Sequence, residues 1–485
     1  MFFRHTVLAA FVLAFAGSTL AQTAVLPPES SPVTNGHNEA RQVPPAREAV
    51  PITPLQLPAG VLSVDEAIAL ALENNGNIRN ALLQAESSRT FVREAFGLFL
   101  PRLDAQYRYF DQGSSTFTGA GRGDFVVSRN DFNVVANWQW LDSGQRSLNI
   151  RSAQRNVLSS DYSALTTLRS ILFDVQVRYY EALRAQELLR VSEAQVERAE
   201  QILEQTRARV EVGEAARKEI LQAEADLANA RVTQLTAENR VATSFAALEA
   251  TIGWQQPQSP ELLAEDEDAF DLPEQPMDDL VAQALVERPE LNARRETIES
   301  LKLDLRRAQI NRGVTVQGNL RFQRSFGRDV FNDRQLELLA SIPIFDAYQL
   351  SQPVRRVSIA VEQQEALLQQ DEFNVIEDVK ASYTLLLQDA RRIEAARVAA
   401  SAARLNFESA SEAQRLGAAD ILEVLTAQVT LVTAESNLIQ ALYDAIISEA
   451  RLRLASGEPV RGEPTLIPGK FFGVRKLSDP QSNNP

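Results

Sequence analysis

Residues 145–213, QRSLNIRSAQRNVLSSDYSALTTLRSILFDVQVRYYEALRAQELLRVSEAQVERAEQILEQTRARVEVG, decide the fold. The stretch holds no proline before Gly213 closes it. At ~1.5 Å per residue a helix from Gln145 to Val212 runs roughly 100 Å, about three times the ~30 Å hydrocarbon thickness of a membrane. Its apolar positions (Leu165, Leu168, Ile171, Leu172, Val175, Leu183, Leu188, Leu189, Ile202, Leu203, Val210) return at steps of three and four, the stripe of a helix lying against other helices. The partner follows at once. From about Ala215 to Ile252 a second pattern runs back with Leu221, Leu227, Leu235, Val241, Phe245 and Leu248, and small residues (Ala223, Ala225, Ala228, Ala230) let the backbones approach. This spacing predicts a very long helical hairpin.

Composition narrows the chemistry. With 485 residues and a net charge of -15 the chain lacks the basic patch that nucleic acid requires. It has no cysteine, which removes disulfides, thiolate metal sites and cysteine nucleophiles together. The two histidines, His5 and His37, fall in N-terminal segments outside the expected folded body. No catalytic, cofactor-binding or metal-binding constellation is expected, and an enzyme is disfavoured.

Residues 1–21 read as a secretory signal: Arg4 and His5, the apolar run Val7–Ala16, then Thr19-Leu20-Ala21 as a small-residue cleavage site. No transmembrane helix is expected after Gln22, so a membrane could be crossed only by a closed β-barrel. Residues 22–60 form a proline-rich tail. Ser63 and Glu66 make a capping box that opens a helix expected to run to about Phe99, before Pro101. There the period changes to two. Leu103, Ala105, Tyr107 and Tyr109 alternate with Asp104, Gln106 and Arg108; Phe132, Val134, Ala136, Trp138 and Trp140 alternate with Asn133, Val135, Asn137 and Gln139. These predict a β-hairpin over about 102–141, with the Gly/Ser-rich stretch 113–123 as its turn.

The pattern then repeats. The helical hairpin recurs at an offset of 204 (Tyr179 to Tyr383, Gly213 to Gly417, Glu219 to Glu423, Gly253 to Gly457), and the segment upstream of the β-hairpin at 213. The nine-residue difference is expected in a longer first turn. Repeat 1 therefore covers 61–253 with its tip at about 212–218. An acidic, solvated linker at 254–276 leads to repeat 2 over 277–457, with a β-hairpin at about 314–345 and a tip at about 416–420. Residues 458–485 read as a second tail.

Four strands cannot close a membrane barrel, which needs about eight or more, so several copies must share one. Asp104, Arg108, Asn137, Gln139, Gln317, Arg321 and Glu337 would line a wet lumen. Tyr107, Trp138, Leu320 and Leu338 would face lipid, and Tyr107, Tyr109, Trp138, Trp140 and Phe322 would form an aromatic belt.

The ordered set of segments resembles the TolC-like outer-membrane efflux family. The likeness covers roughly Leu62 to Gly457. It rests on the opening LSVDEAIALALENN of residues 62–75, on Leu100-Pro101-Arg102-Leu103, and on the tips Arg209-Val210-Glu211-Val212-Gly213 and Leu416-Gly417-Ala418-Ala419-Asp420-Ile421-Leu422. It implies a mainly α fold: a trimeric twelve-stranded β-barrel in the outer membrane, four strands per chain, continued by a long α-helical barrel in the periplasm. It further implies an exit duct for a tripartite efflux or type I secretion system, docked to a periplasmic adaptor of an inner-membrane transporter. The docking tips would be Val212, Gly213, Glu214 and Leu416, Gly417, Ala418. Glu423, and after it Glu219, would stand at the periplasmic constriction. Two positions depart from the family pattern: Glu214 takes the usual apolar place after the glycine, and Gly76 stands where proline is frequent. The alternative class is a soluble periplasmic coiled-coil scaffold without a channel, which leaves the two-faced strands unexplained.

Overall fold

The computed structural model describes residues 61–118, 121–254, 261–263, 272–327, 331–465 and 468, within the unit Ala59–Pro485. The expected signal and proline-rich tail lie outside the described residues. Strand β1 (Val61–Leu62) leads into α1 (Val64–Asn74), whose N-cap Ser63 and Glu66 bond each other's backbone N–H groups. The single helix expected to Phe99 is instead two, because the chain breaks at Asn75 before α2 (Gly76–Gly97). Asn75 is extended (ψ 118°), its Oδ1 accepts from the N–H groups of Asn77 and Ile78, and its Nδ2 donates to the Thr251 carbonyl at 2.6 Å. A short amide that caps the next helix outcompetes continuation of the last. The break recurs at Arg288, between α5 (Met277–Glu287) and α6 (Pro289–Ile310), where Pro289 holds the first helical position.

Strands β2 (Arg102–Thr118) and β3 (Gly121–Leu141) precede α3 (Gln145–Glu211) and α4 (Arg217–Ile252); β5 (Thr315–Gly327) and β6 (Phe331–Ser341) precede α7 (Ser351–Arg415) and α8 (Ile421–Ser456). The sheet order is β2-β3-β5-β6, all antiparallel, so the repeats join through β3 and β5. Two expectations change here. The 113–123 stretch is strand rather than turn: the ladder continues from Gly113 opposite Val126 to Thr118 opposite Gly121, so the extra residues lengthen strands. At the other hairpin β6 stops at Ser341, short of 345, since Pro343 has no N–H to give.

The linker and the final tail are not wholly solvated either. Within the linker, β4 (Glu261–Leu262) pairs in parallel with β1, and Leu262 is buried. The buried Tyr179 hydroxyl donates to the Leu62 carbonyl at 2.8 Å, with the Leu263 carbonyl at 2.9 Å. Past α8, Glu463 takes two hydrogen bonds from Arg169 Nε, and Arg169 also donates to the Gly457 carbonyl. Arg461 grips Asp65 of α1. A buried guanidinium must be paired, and these bonds draw residues 457–463 onto α3.

Contacts order the helices into one layer. Nearer the sheet the row is α2-α3-α6-α7, and toward the tips it is α4-α3-α8-α7. Below, a core of Ala199, Ile202, Leu203, Ala223, Leu227 and Ala230 from the first hairpin meets Ala410, Ile421, Val424 and Ala427 from the second. Alanine at the contact lets the helices close up, which suits slender coiled hairpins. Two acidic residues of α8 are each held between arginines of the long helices. Asp444 meets Arg184 at 2.8 Å and Arg392 at 3.0 Å; Glu435 meets Arg198 at 3.6 Å and Arg404 at 2.8 Å.

Candidate functional site

The two tips are built alike. At the first, the N–H of Gly213 bonds the Val210 carbonyl (3.1 Å) and that of Glu214 the Arg209 carbonyl (2.8 Å); at the second, Gly417 bonds Gln414 (3.0 Å) and Ala418 bonds Ala413 (2.8 Å). Both are Schellman turns, which require a left-handed residue, and the glycines have φ of 82° and 75°. A Cβ at either would meet nothing within 4 Å, so glycine is required by φ alone. The turns raise Val212 and Leu416 to 70% and 71% exposure.

Beyond the turn the tips diverge. Glu214, Arg217 and Lys218 are exposed at the first, while the second offers Ala418, half-buried Ala419, exposed Asp420 and exposed Leu422. Glu219 and Glu423 hold the same third position of their helices. The Glu219 carboxylate accepts the N–H of Ala216 at 3.1 Å, capping its own helix. Glu423 is exposed and forms no ion pair among the described residues, and Thr426 one turn on bonds the Leu422 carbonyl.

In the sheet, directly opposed residues share a face. One face carries Leu103, Ala105, Tyr107 and Tyr109, then Phe132, Val134, Ala136 and Trp138, then Leu320 and Phe322, then Leu336 and Leu338. The other carries Asp104, Arg108, Asn137, Gln139, Gln317, Arg321 and Glu337. The five aromatics singled out in the sequence all fall on the apolar face, but not at one level. Trp140 occupies a β-bulge between Gln139 and Leu141, with its Nε1 lying 2.8 Å from where a Gly318 Cβ would be. Its ring is 5.3 Å from that of Trp138, whose Nε1 donates to the Phe99 carbonyl. Tyr109 opposes Asn130, eight residues up β3 from Trp138 or ~26 Å along a strand. Phe322, opposite Val134, falls midway, so the aromatics spread along the face between Trp138 and Tyr109.

The sequence reading missed the edges. Large apolar side chains stay exposed on α2 (Leu83, Phe91, Phe96) and α4 (Leu221, Val232, Leu235) at one side of the layer, and on α7 (Ile359, Leu367, Phe373, Val398, Leu405) at the other. None is exposed on α3 or α6 between them, while α8 leaves Leu422 and Val429 exposed near its tip end. The sheet likewise ends on two unpaired strands, β2 and β6. The only sequence signal was an apolar stripe wider than one partner can cover. Also missed was a polar contact between the hairpins: Gln428 Nε2 of α8, fully buried, donates to Asp226 of α4 at 3.4 Å. Burial raises the Asp226 carboxyl above its usual range, opposed by that bond. Among the described residues no acidic or histidine cluster could hold a metal ion, and no helix is long and apolar enough to cross a membrane.

A two-faced antiparallel sheet with open edges stands on a single layer of very long paired helices, the form of one segment of a β-barrel continued by an α-helical barrel. The chain belongs to the outer membrane efflux protein family, whose model matches residues 67–254 and 280–458, one stretch in each repeat. It is an outer-membrane protein of the efflux and secretion duct class. It is 27% identical to Protein CyaE of Bordetella pertussis over 64% of this chain and 66% of that protein. To the alkaline protease secretion protein AprF of Pseudomonas aeruginosa it is 22% identical, over 85% of this chain and 88% of the relative. Among solved structures, the CmeC outer membrane channel of Campylobacter jejuni has the same fold. It superposes with a TM-score of 0.71 at 16% identity, over 81% of this chain and 85% of that one.

Proposed function

We propose that three copies of this chain close one twelve-stranded barrel and one helical barrel, forming a continuous exit duct from the periplasm through the outer membrane. The open edges carry this reading. Exposed apolar residues collect on α2 and α4 at one side and on α7 at the other, and each sheet edge is unpaired. Different surfaces on opposite sides make a head-to-tail contact, which closes into a ring when the rotation fits. Four strands per chain bring three copies to twelve, within the range of membrane barrels. The polar face then lines the lumen and the apolar face meets lipid.

The tips at Val212, Gly213, Glu214 and at Leu416, Gly417, Ala418 dock a periplasmic adaptor of an inner-membrane transporter, and the pump sets what is passed. Glu423, exposed and unpaired just inside the second tip, supplies a ring of like charges at the periplasmic constriction. Glu219 contributes less, since its carboxylate is engaged in capping.

The test is the mass of the protein extracted from separated membranes. An outer-membrane species at three times the chain mass is expected. A soluble monomer or dimer in the periplasm would overturn the duct and leave a coiled-coil scaffold.

A further inference from the structure

On the apolar face the hydrocarbon run of β5 and β6 is broken by arginine toward the hairpin loop, with Phe132 opposite Arg324 and Phe326 beyond it. On β5 the residue of that face after Leu320 and Phe322 is Arg324; on β6 the residue before Leu338 and Leu336 is Arg334. Arg324 opposes Asn332, so Arg324 and Arg334 are diagonal neighbours on adjacent strands, roughly 7–8 Å apart at the backbone. Both are exposed, and neither pairs with a carboxylate among the described residues. Each rests instead on a phenylalanine of the same face, Arg324 5.0 Å from the Phe326 ring centre and Arg334 5.8 Å from that of Phe322. Asp333, between them in sequence, opposes Gln323 on the other face and cannot serve them.

A guanidinium facing hydrocarbon is strongly disfavoured, whereas at the headgroup level it is tolerated and attracts anionic groups. The acyl chains would cover Leu320, Phe322, Leu336 and Leu338, which places the lipid headgroup beside the two arginines. We propose that Arg324 and Arg334, with Asn332 between them, form a binding site for the phosphate of a membrane lipid headgroup in the outer leaflet. The inference rests on the reading that the apolar face meets lipid. A phosphate offers acceptor oxygens to both guanidinium forks at once, and the phenylalanines help to keep the forks on this face.

The experiment uses the full-length protein in non-ionic detergent and native mass spectrometry with diphosphorylated lipid A or its dephosphorylated form. The wild type should retain the phosphorylated lipid preferentially. The R324Q/R334Q protein should retain it at least about tenfold less, since charge-assisted bonds are the strong ones, while R321Q, on the opposite face, keeps it. Equal retention by R324Q/R334Q, or equal loss by R321Q, would overturn the site. Displacement by millimolar inorganic phosphate would overturn the lipid assignment in favour of the free anion. Quenching of Trp138 and Trp140 fluorescence by brominated lipids, after reconstitution into vesicles, separates the two readings. Quenched tryptophans with no arginine-dependent retention sink the phosphate site alone, whereas unquenched tryptophans sink the lipid-facing reading with it.

Discussion

At the first tip Gly213 is followed by the exposed Glu214, Arg217 and Lys218; at the second, Gly417 is followed by Ala418, Ala419, the exposed Asp420, the buried Ile421 and the exposed Leu422. The same pair of backbone bonds and the same left-handed glycine turn the chain around at both tips. A Schellman turn demands one residue type at one position, so the backbone survives while the residues past the glycine change. Each tip presents one apolar residue before its glycine, but past the turn the first adds Glu214, Arg217 and Lys218, whereas the second adds Asp420 and Leu422. Even the paired glutamates differ, Glu219 being spent on its own helix start and Glu423 remaining unpaired.

The largest effect is expected where the shared part is broken. Gly417→Val forces a β-branched residue to φ near 75°, at a cost of ~1–3 kcal/mol. Because the turn cannot absorb it, export should fall at least about tenfold, a factor that ~1.4 kcal/mol supplies. Gly213→Val is strained equally, and the mass of the extracted oligomer should not change in either. Unimpaired export in Gly417→Val would dissolve the docking role of the second tip.

Next in size is docking chemistry. Leu416→Ser should weaken adaptor binding at every ionic strength. Arg217→Glu with Lys218→Glu should weaken it at low salt and lose most of its effect by about 1 M, where the Debye length is ~3 Å. Binding titrations at two salt concentrations separate them; identical salt dependence would erase the distinction between the tips. A smaller difference is expected within the pore. In planar bilayers Glu423→Ala should reduce cation preference, whereas Glu219→Ala should leave it nearly intact and cost its helix ~0.5–1 kcal/mol of capping and dipole energy. Equal shifts in selectivity would place both carboxylates in the lumen.

The smallest effect joins the two hairpins. Burial raises the folded-state pKa of Asp226 above its unfolded value, so the ionised form is the costly one. Stability therefore falls as pH rises through the raised folded value and returns on acidification below it. Asp226→Asn should abolish that dependence and stabilise the neutral-pH protein by about 1 kcal/mol. Urea midpoints at two pH values decide it, and an unchanged pH slope in the variant would show that Asp226 is not its source.

The sequence carried the long helices, the two-faced strands, the internal repeat and the glycine tips, because each is a local pattern of period 3.6 or 2 or a turn with one obligate residue. It failed where a local pattern met a distant partner. Nothing near residue 75 says that Asn75 will donate to the Thr251 carbonyl, or near residue 113 that a Gly/Ser run will stay in register to Thr118. Arg169 reads as one more charge on a helix until Glu463, on a segment read as tail, arrives beside it.

By itself, then, the sequence determined that the chain builds slender helical hairpins and half-buried strands twice over, since periodicity fixes which side of an element is apolar. Only the tertiary structure decided which apolar side chains find partners within the chain. Those of α3 and α6 are covered from both sides, while those of α2, α4 and α7 are left at the edges. Burial on a helix depends on its neighbours in the row, and a neighbour hundreds of residues away leaves no trace in the local pattern.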